Sequence, residues 1–215
     1  MARRLFIAVN IPAEVNEVLR SVQAWPQCQG LRVRWAPPEQ MHLTLVFLGA
    51  TDDRAVAPVG QALSNAVADT APFSLSLGRL GAFPDLARPK VVWCGAEGDI
   101  EQLGQLRSAI AGALGAIVPI TDGGRYMPHV TVGRVRRDAQ AAERRMVGNA
   151  IEHAATLPRK SWNVDRVVLY ESVPSAGGVR HEPLLSAPLV SAPLLSAPLL
   201  SAPLLFAPRR GVISA

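Results

Sequence analysis

Cysteine is nearly missing from this chain of 215 residues: it has only Cys28 and Cys94. Two such distant residues make neither a disulfide framework nor a metal-type cluster, and they read as free thiols in a reducing cytoplasm. Histidine is scarce as well, with four residues. Acidic residues, 17 against 22 basic ones, are too few to neutralise the chain, which carries a formal charge of +5 and a pI near 10.0. That excess favours a polyanionic partner, RNA above all, although a solvated basic surface accounts for it equally well. The apolar start of the chain is broken by Asn10, Pro12 and Glu14, too soon for a secretion signal. There is no Walker-type glycine-rich phosphate loop and no Gly-x-Ser-x-Gly nucleophile motif. At 49% hydrophobic and 18% charged, the chain can still bury a substantial core as one large domain or two small lobes.

The informative feature is a stretch that occurs twice. His42-Leu43-Thr44-Leu45 returns as His129-Val130-Thr131-Val132, 87 residues later. On a β-strand, residues two apart share a face, so each His–Thr pair points one way while Leu43 and Leu45, or Val130 and Val132, point into a core. Two rigid strands would thereby offer one imidazole and one hydroxyl each to a common space. Neither motif has a carboxylate or third histidine at ligand spacing, so no zinc site and no cofactor is expected.

The flanking elements repeat with the motif. Residues 3–10 read as a buried strand, and Pro12 opens a helix with Val15, Val18, Leu19 and Val22 on one face. Residues 31–35 alternate as a strand, a helix is expected over residues 51–69, and 73–77 alternate again. The series then restarts with a strand at 91–94 and a helix capped by Asp99, which lies 87 residues after Pro12. A helix over 138–155 and a strand at 164–170 close it. The expectation is an α+β fold of two pseudo-twofold lobes, formed by about residues 1–85 and 86–184, with two antiparallel-rich sheets flanked by helices around a central cleft. From Leu185 onward Ser-Ala-Pro-Leu-Leu recurs with proline at 188, 193, 198, 203 and 208. Its prolines would leave backbone groups unpaired in lipid, so residues 185–215 read as an irregular, disordered tail outside any membrane, with a docking segment as the alternative.

Two facing imidazoles suit a reaction that needs a base and an acid in one step, and threonine hydroxyls beside them can donate to phosphate oxygens. The paired motifs resemble the His-x-Thr-x motifs of the 2H phosphoesterase superfamily. Arg4-Leu5-Phe6-Ile7-Ala8, Arg34-Trp35-Ala36-Pro37-Pro38, Leu45-Val46-Phe47-Leu48-Gly49, Gly81-Ala82-Phe83-Pro84 and Leu169-Tyr170-Glu171-Ser172 are similar to the RNA 2′,3′-cyclic phosphodiesterases, historically called 2′-5′ RNA ligases. The resemblance covers about residues 3–184. It implies a bilobal LigT-like fold and metal-independent hydrolysis of an RNA 2′,3′-cyclic phosphate end to a 2′-phosphomonoester; the protein is expected to be a monomer in the cytoplasm. It also implies His42 as proton donor, His129 as proton acceptor, and Thr44 and Thr131 on the phosphate oxygens. The alternatives are 2′-5′ ligation, the same chemistry in reverse, and an RNA-binding module without chemistry.

Arg134 matches a basic residue that often follows the second motif of that family. By strict alternation it points away from His129 and reaches the cleft only if the strand bulges or ends. Tyr126 and Phe47 are candidates for stacking on a base, with core packing as the alternative. Arg136, Arg137, Arg144 and Arg145 either extend an RNA-facing surface or form a solvated helix face. His153 and His181 lack a threonine partner and are assigned no chemistry.

Overall fold

The apolar run at the start of the chain becomes β1 (Ala2–Asn10), whose residues 5–9 are all buried, so this strand is covered on both sheet faces. The computed structural model describes residues 2–120, 126–154, 156–175 and 178–190. Within them β1 is followed by α1 (Ala13–Ser21), β2 (Val33–Trp35), β3 (His42–Asp52), α2 (Val56–Val67) and β4 (Phe73–Phe83). Then come β5 (Val91–Gly98), α3 (Ile100–Gly115), β6 (His129–Val135), α4 (Ala141–Glu152), β7 (Ser161–Val164), β8 (Arg166–Ser175) and β9 (Gly178–Pro188).

The strands lie in the order β7-β4-β5-β6-β3-β1-β8-β9, with β2 added on β6, and every pairing is antiparallel. This order is two four-stranded sheets meeting edge to edge. Leu43 opposite Val130 is the one residue pair in the β3–β6 register. Helical spacing puts Val15 and Leu19 of α1, Val59 and Leu63 of α2, Leu103, Leu106 and Ile110 of α3, and Val147 and Ile151 of α4 into one buried cluster. They pack there with Ile7, Leu43, Leu45, Val92, Val130 and Val132 from the sheets. Each fully buried side chain of this size contributes about 1.5–3 kcal/mol. Helices and core thus occupy the side of the sheet away from the histidines.

The expected twofold repeat is present, but its halves are not the lobes. Strands cross between the repeats: β4 of the first joins β5 and β7 of the second and β2 joins β6, while β8 of the second joins β1 of the first. A division at residue 85 therefore cuts through both sheets. The strand expected at 164–170 is likewise two strands, which part at Asp165 because β7 pairs with β4 and β8 with β1.

Three other boundaries move for local reasons. The helix expected from residue 51 begins at Val56, because β3 continues to Asp52, with buried Thr51 opposite Arg3 and the Asp52 carboxylate accepting from Arg54 N. Asp99 precedes α3 without capping it; its carboxylate accepts from Ser74 N at 2.9 Å instead. The tail expected from Leu185 starts later. β9 pairs with β8 through Pro188, Ala187 and Leu189 are buried, and Leu189 N donates to Asp165 O. Pro183 and Pro188 are tolerated because β9 is a sheet edge, and the register shifts just after Pro183. Residues 191–215, with the remaining repeats, lie outside the described residues.

Candidate active site

The Leu43–Val130 pair organises the site. Antiparallel register around it sets His42 across from Thr131 and Thr44 across from His129, and alternation turns all four away from the core. The burial pattern agrees: in both motifs the histidine and threonine are half-buried and the residue between them is fully buried. The cleft between the sheets is lined by two His–Thr pairs related by the twofold.

Each imidazole is held by its own strand. His42 Nδ1 lies 2.8 Å from Gln40 O and His129 Nδ1 lies 2.7 Å from Met127 O, in both cases the carbonyl two residues upstream. A carbonyl oxygen can only accept, so Nδ1 carries the proton in both rings and the lone pair of the neutral ring is on Nε2.

Aromatic rings complete both walls. His42 is 4.8 Å from Phe6 of β1 and 6.2 Å from Tyr170 of β8; His129 is 6.2 Å from Trp93 of β5 and 4.9 Å from Phe83 of β4. Strand for strand these are equivalent positions. Trp93 can lie there because residue 81 is glycine: a β-carbon at Gly81 would stand 2.3 Å from the indole ring. Burial among these rings pushes the His42 pKa down to about 4, helped by the nearby His181, His129 and Arg134 and opposed by the Gln40 carbonyl. His129 is lowered by the same burial and by Arg134. Both imidazoles are neutral at pH 7.

Two bulges finish the site. Thr44 pairs with Ala8 and Val46 with Ile7, so Leu45 is an extra residue on β3; Thr131 pairs with Trp93 and Gly133 with Val92, so Val132 is an extra residue on β6. Leu45 and Val132 are equivalent positions. Each bulge shifts the alternation by one, so Phe47 and Arg134 emerge on the same face as their histidine. The condition set by the sequence for Arg134 is therefore met. Its guanidinium acts on His42, His129 and His181. Phe47 is 50% exposed, with its ring 6.3 Å from that of Phe6.

Some residues fall elsewhere than anticipated. His181 belongs to the cleft: it meets His42 edge-on at 5.0 Å and Phe6 at 4.9 Å, with its Nδ1 3.4 Å from Ser172 Oγ. Nothing in the local sequence announces it, because β9 reaches the cleft only through pairing with β8. His153 ties its Nδ1 to Asn149 O near the end of α4. Tyr126 serves the framework, donating its hydroxyl to Thr44 O beneath the Arg107 guanidinium. Arg144 is spent on the carbonyls of residues 89, 136, 137 and 139, and Arg136 pairs with Asp138. Arg137 and Arg145 stay on the surface. Cys28 and Cys94 are free and buried, and burial pushes the Cys94 thiol up to about 12. Among the described residues no helix is long and apolar enough to cross a membrane.

Known proteins share this architecture. The chain is 25% identical over 177 residues to an RNA 2′,3′-cyclic phosphodiesterase of Aquifex aeolicus, an alignment covering 81% of this chain and 91% of that protein. TT0787 of Thermus thermophilus superposes with a TM-score of 0.67 at 27% identity, covering 87% of this chain and 98% of that one. Escherichia coli LigT complexed with 3′-AMP gives a TM-score of 0.63 at 26% identity, covering 89% and 100%. Residues 14–174 match the family model of the 2′-5′ RNA ligase superfamily, and the chain belongs to that family.

Proposed function

We propose that the protein hydrolyses the 2′,3′-cyclic phosphodiester at an RNA end to a 2′-phosphomonoester, with the two motif histidines as its acid and base. The supporting observation is the matched pair of imidazoles in one cleft, each with Nδ1 tied to a backbone carbonyl, which leaves Nε2 as the nitrogen for proton transfer.

His129 Nε2 takes a proton from water as the water oxygen bonds to phosphorus. The bond from phosphorus to O3′ breaks, and His42 Nε2 gives its proton to that oxygen. Each proton transfer is worth roughly 10²–10⁴ in rate. Thr44, Thr131 and Arg134 donate to the non-bridging oxygens as negative charge grows there. Since burial strips His42 of its proton at neutral pH, the anionic substrate must restore it, by bringing negative charge beside Nε2. Phe47, across the twofold from Arg134, offers its ring to the terminal base.

Incubation with EDTA on a short RNA ending in a 2′,3′-cyclic phosphate, with mapping of the oxygen that keeps the phosphate, tests this directly. A 2′-phosphate product, lost in both His42→Ala and His129→Ala, is expected. Loss of activity with the chelator would overturn the two-histidine mechanism. Adding a 5′-hydroxyl RNA distinguishes hydrolysis from joining.

A further inference from the structure

Arg34 lies directly opposite Arg134 in the antiparallel register of β2 and β6. Directly paired residues share a sheet face, so Arg34 stands on the cleft face with Arg134, His129 and Thr131. Both arginines are exposed, and neither has a salt bridge or side-chain hydrogen bond among the described residues. Like charges in this position weaken a strand pair. Carboxylates are close at hand: Arg32 and Arg136, flanking the same strands, are both paired with Asp138, and Arg32 also lies near Glu143. The cleft-facing pair alone is left to repel, and partial desolvation together with the Arg34 charge lowers the proton affinity of Arg134.

The opposite wall keeps this place open. A β-carbon on Gly178, at the start of β9, would come within 3.0 Å of an Arg34 guanidinium nitrogen, and Gly178 has φ +129°. A side chain there would crowd the guanidinium. His181, three residues further along β9, feels the Arg134 charge from the same wall. Arg134 thus has the catalytic pair on one side and an uncompensated second cation on the other. A terminal cyclic phosphate carries one negative charge and cannot neutralise both.

We propose that Arg34, working beside Arg134, binds the internal phosphodiester joining the terminal nucleotide to its 5′ neighbour, so that the site prefers RNA chain ends to cyclic mononucleotides. This rests on the hydrolase reading above. A guanidinium on a phosphodiester oxygen is a charge-assisted bidentate contact, which a cyclic mononucleotide cannot make at this position.

The test compares a 2′,3′-cyclic mononucleotide with a diribonucleotide ending in a 2′,3′-cyclic phosphate, and with the same dinucleotide carrying an uncharged methylphosphonate at its internal linkage. For the unaltered protein, kcat/KM is expected to be about tenfold higher on the charged dinucleotide than on the methylphosphonate. Arg34→Gln should lower kcat/KM about tenfold more on the charged dinucleotide than on the mononucleotide, and should add little loss on the methylphosphonate. Equal losses on all three substrates, or no difference between the charged and neutral linkages in the unaltered protein, would overturn the subsite. Calorimetric binding of a diribonucleotide 2′-phosphate separates the two readings: Arg34-dependent binding without turnover keeps the subsite and removes the hydrolase, whereas turnover with Arg34-independent binding does the reverse.

Discussion

Phe47 and Arg134 occupy one and the same position in the two repeats, each five residues past a motif histidine and just beyond a one-residue bulge. The twofold is broken in chemistry at a point where it is kept in geometry. One copy offers an aromatic face and the other a guanidinium, which suits a substrate with a base at one end and a phosphate at the other.

Removing each function in turn should therefore give different kinetic signatures. On the proposed mechanism Arg134→Gln removes a donor to the developing charge and should lower kcat by roughly 10²–10³. Phe47→Ala removes a stacking surface and should act mainly on KM, by about tenfold. Steady-state kinetics on one cyclic-phosphate substrate decides. Identical kcat losses from both substitutions would count against the division of labour.

The pH profile follows from burial. In kcat/KM, a bell reports the acid and base of the free enzyme. Both cleft histidines are shifted below the ordinary 6.5, His42 to about 4. The maximum of kcat/KM should thus lie on the acid side of 6.5. A profile still rising above pH 7 would show that a different pair of groups does the work.

The same shift ties stability to pH. The unfolded chain binds a proton on His42 near 6.5 and the folded one only near 4, so stability is full above 6.5 and falls as pH drops towards 4, by roughly 3 kcal/mol if burial persists. His181→Phe keeps a ring against His42 and Phe6 while removing the second-largest cause of the depression. Chemical-shift titration should then find the His42 pKa raised, and denaturant unfolding a shallower decline between pH 6.5 and 4. An unchanged His42 pKa would leave burial, with His129 and Arg134, as the cause.

How far the sequence discloses the site depends on how local each signal is. The His–Thr pairs are legible because a two-residue period fixes their shared face whatever the fold does around them. Arg134 is only conditionally legible: a bulge inverts alternation, and the extra residue, Val132, looks like any other strand residue. His181 and Arg34 are hidden for a different reason. Each comes to the cleft through the pairing of its strand, β9 with β8 and β2 with the distant β6. The exchange of β4 and β8 between sheets is hidden likewise, since a repeat in sequence does not say which copy a strand joins.

The end of the folded unit supplies the last prediction. Composition suggests a boundary at Leu184, because the Pro-Leu repeat begins there. Pairing says otherwise: Leu185 opposes Leu169, Ser186 opposes Val168 and Ala187 opposes Val167, while a Leu185 methyl stands 3.2 Å from the β-carbon position of Gly60 on α2. A chain cut after Leu184 loses these contacts together with the buried Leu189, and uncovers β8, the strand that carries Tyr170 to the His42 wall. The loss should be roughly 3–5 kcal/mol, a fall in Tm of about 10 °C. A chain cut after Val190 keeps all of them and should melt and turn over as the full chain does. Thermal unfolding of the two truncations checks this; equal Tm values would mean that the pairing of residues 185–188 with β8 contributes nothing to the fold.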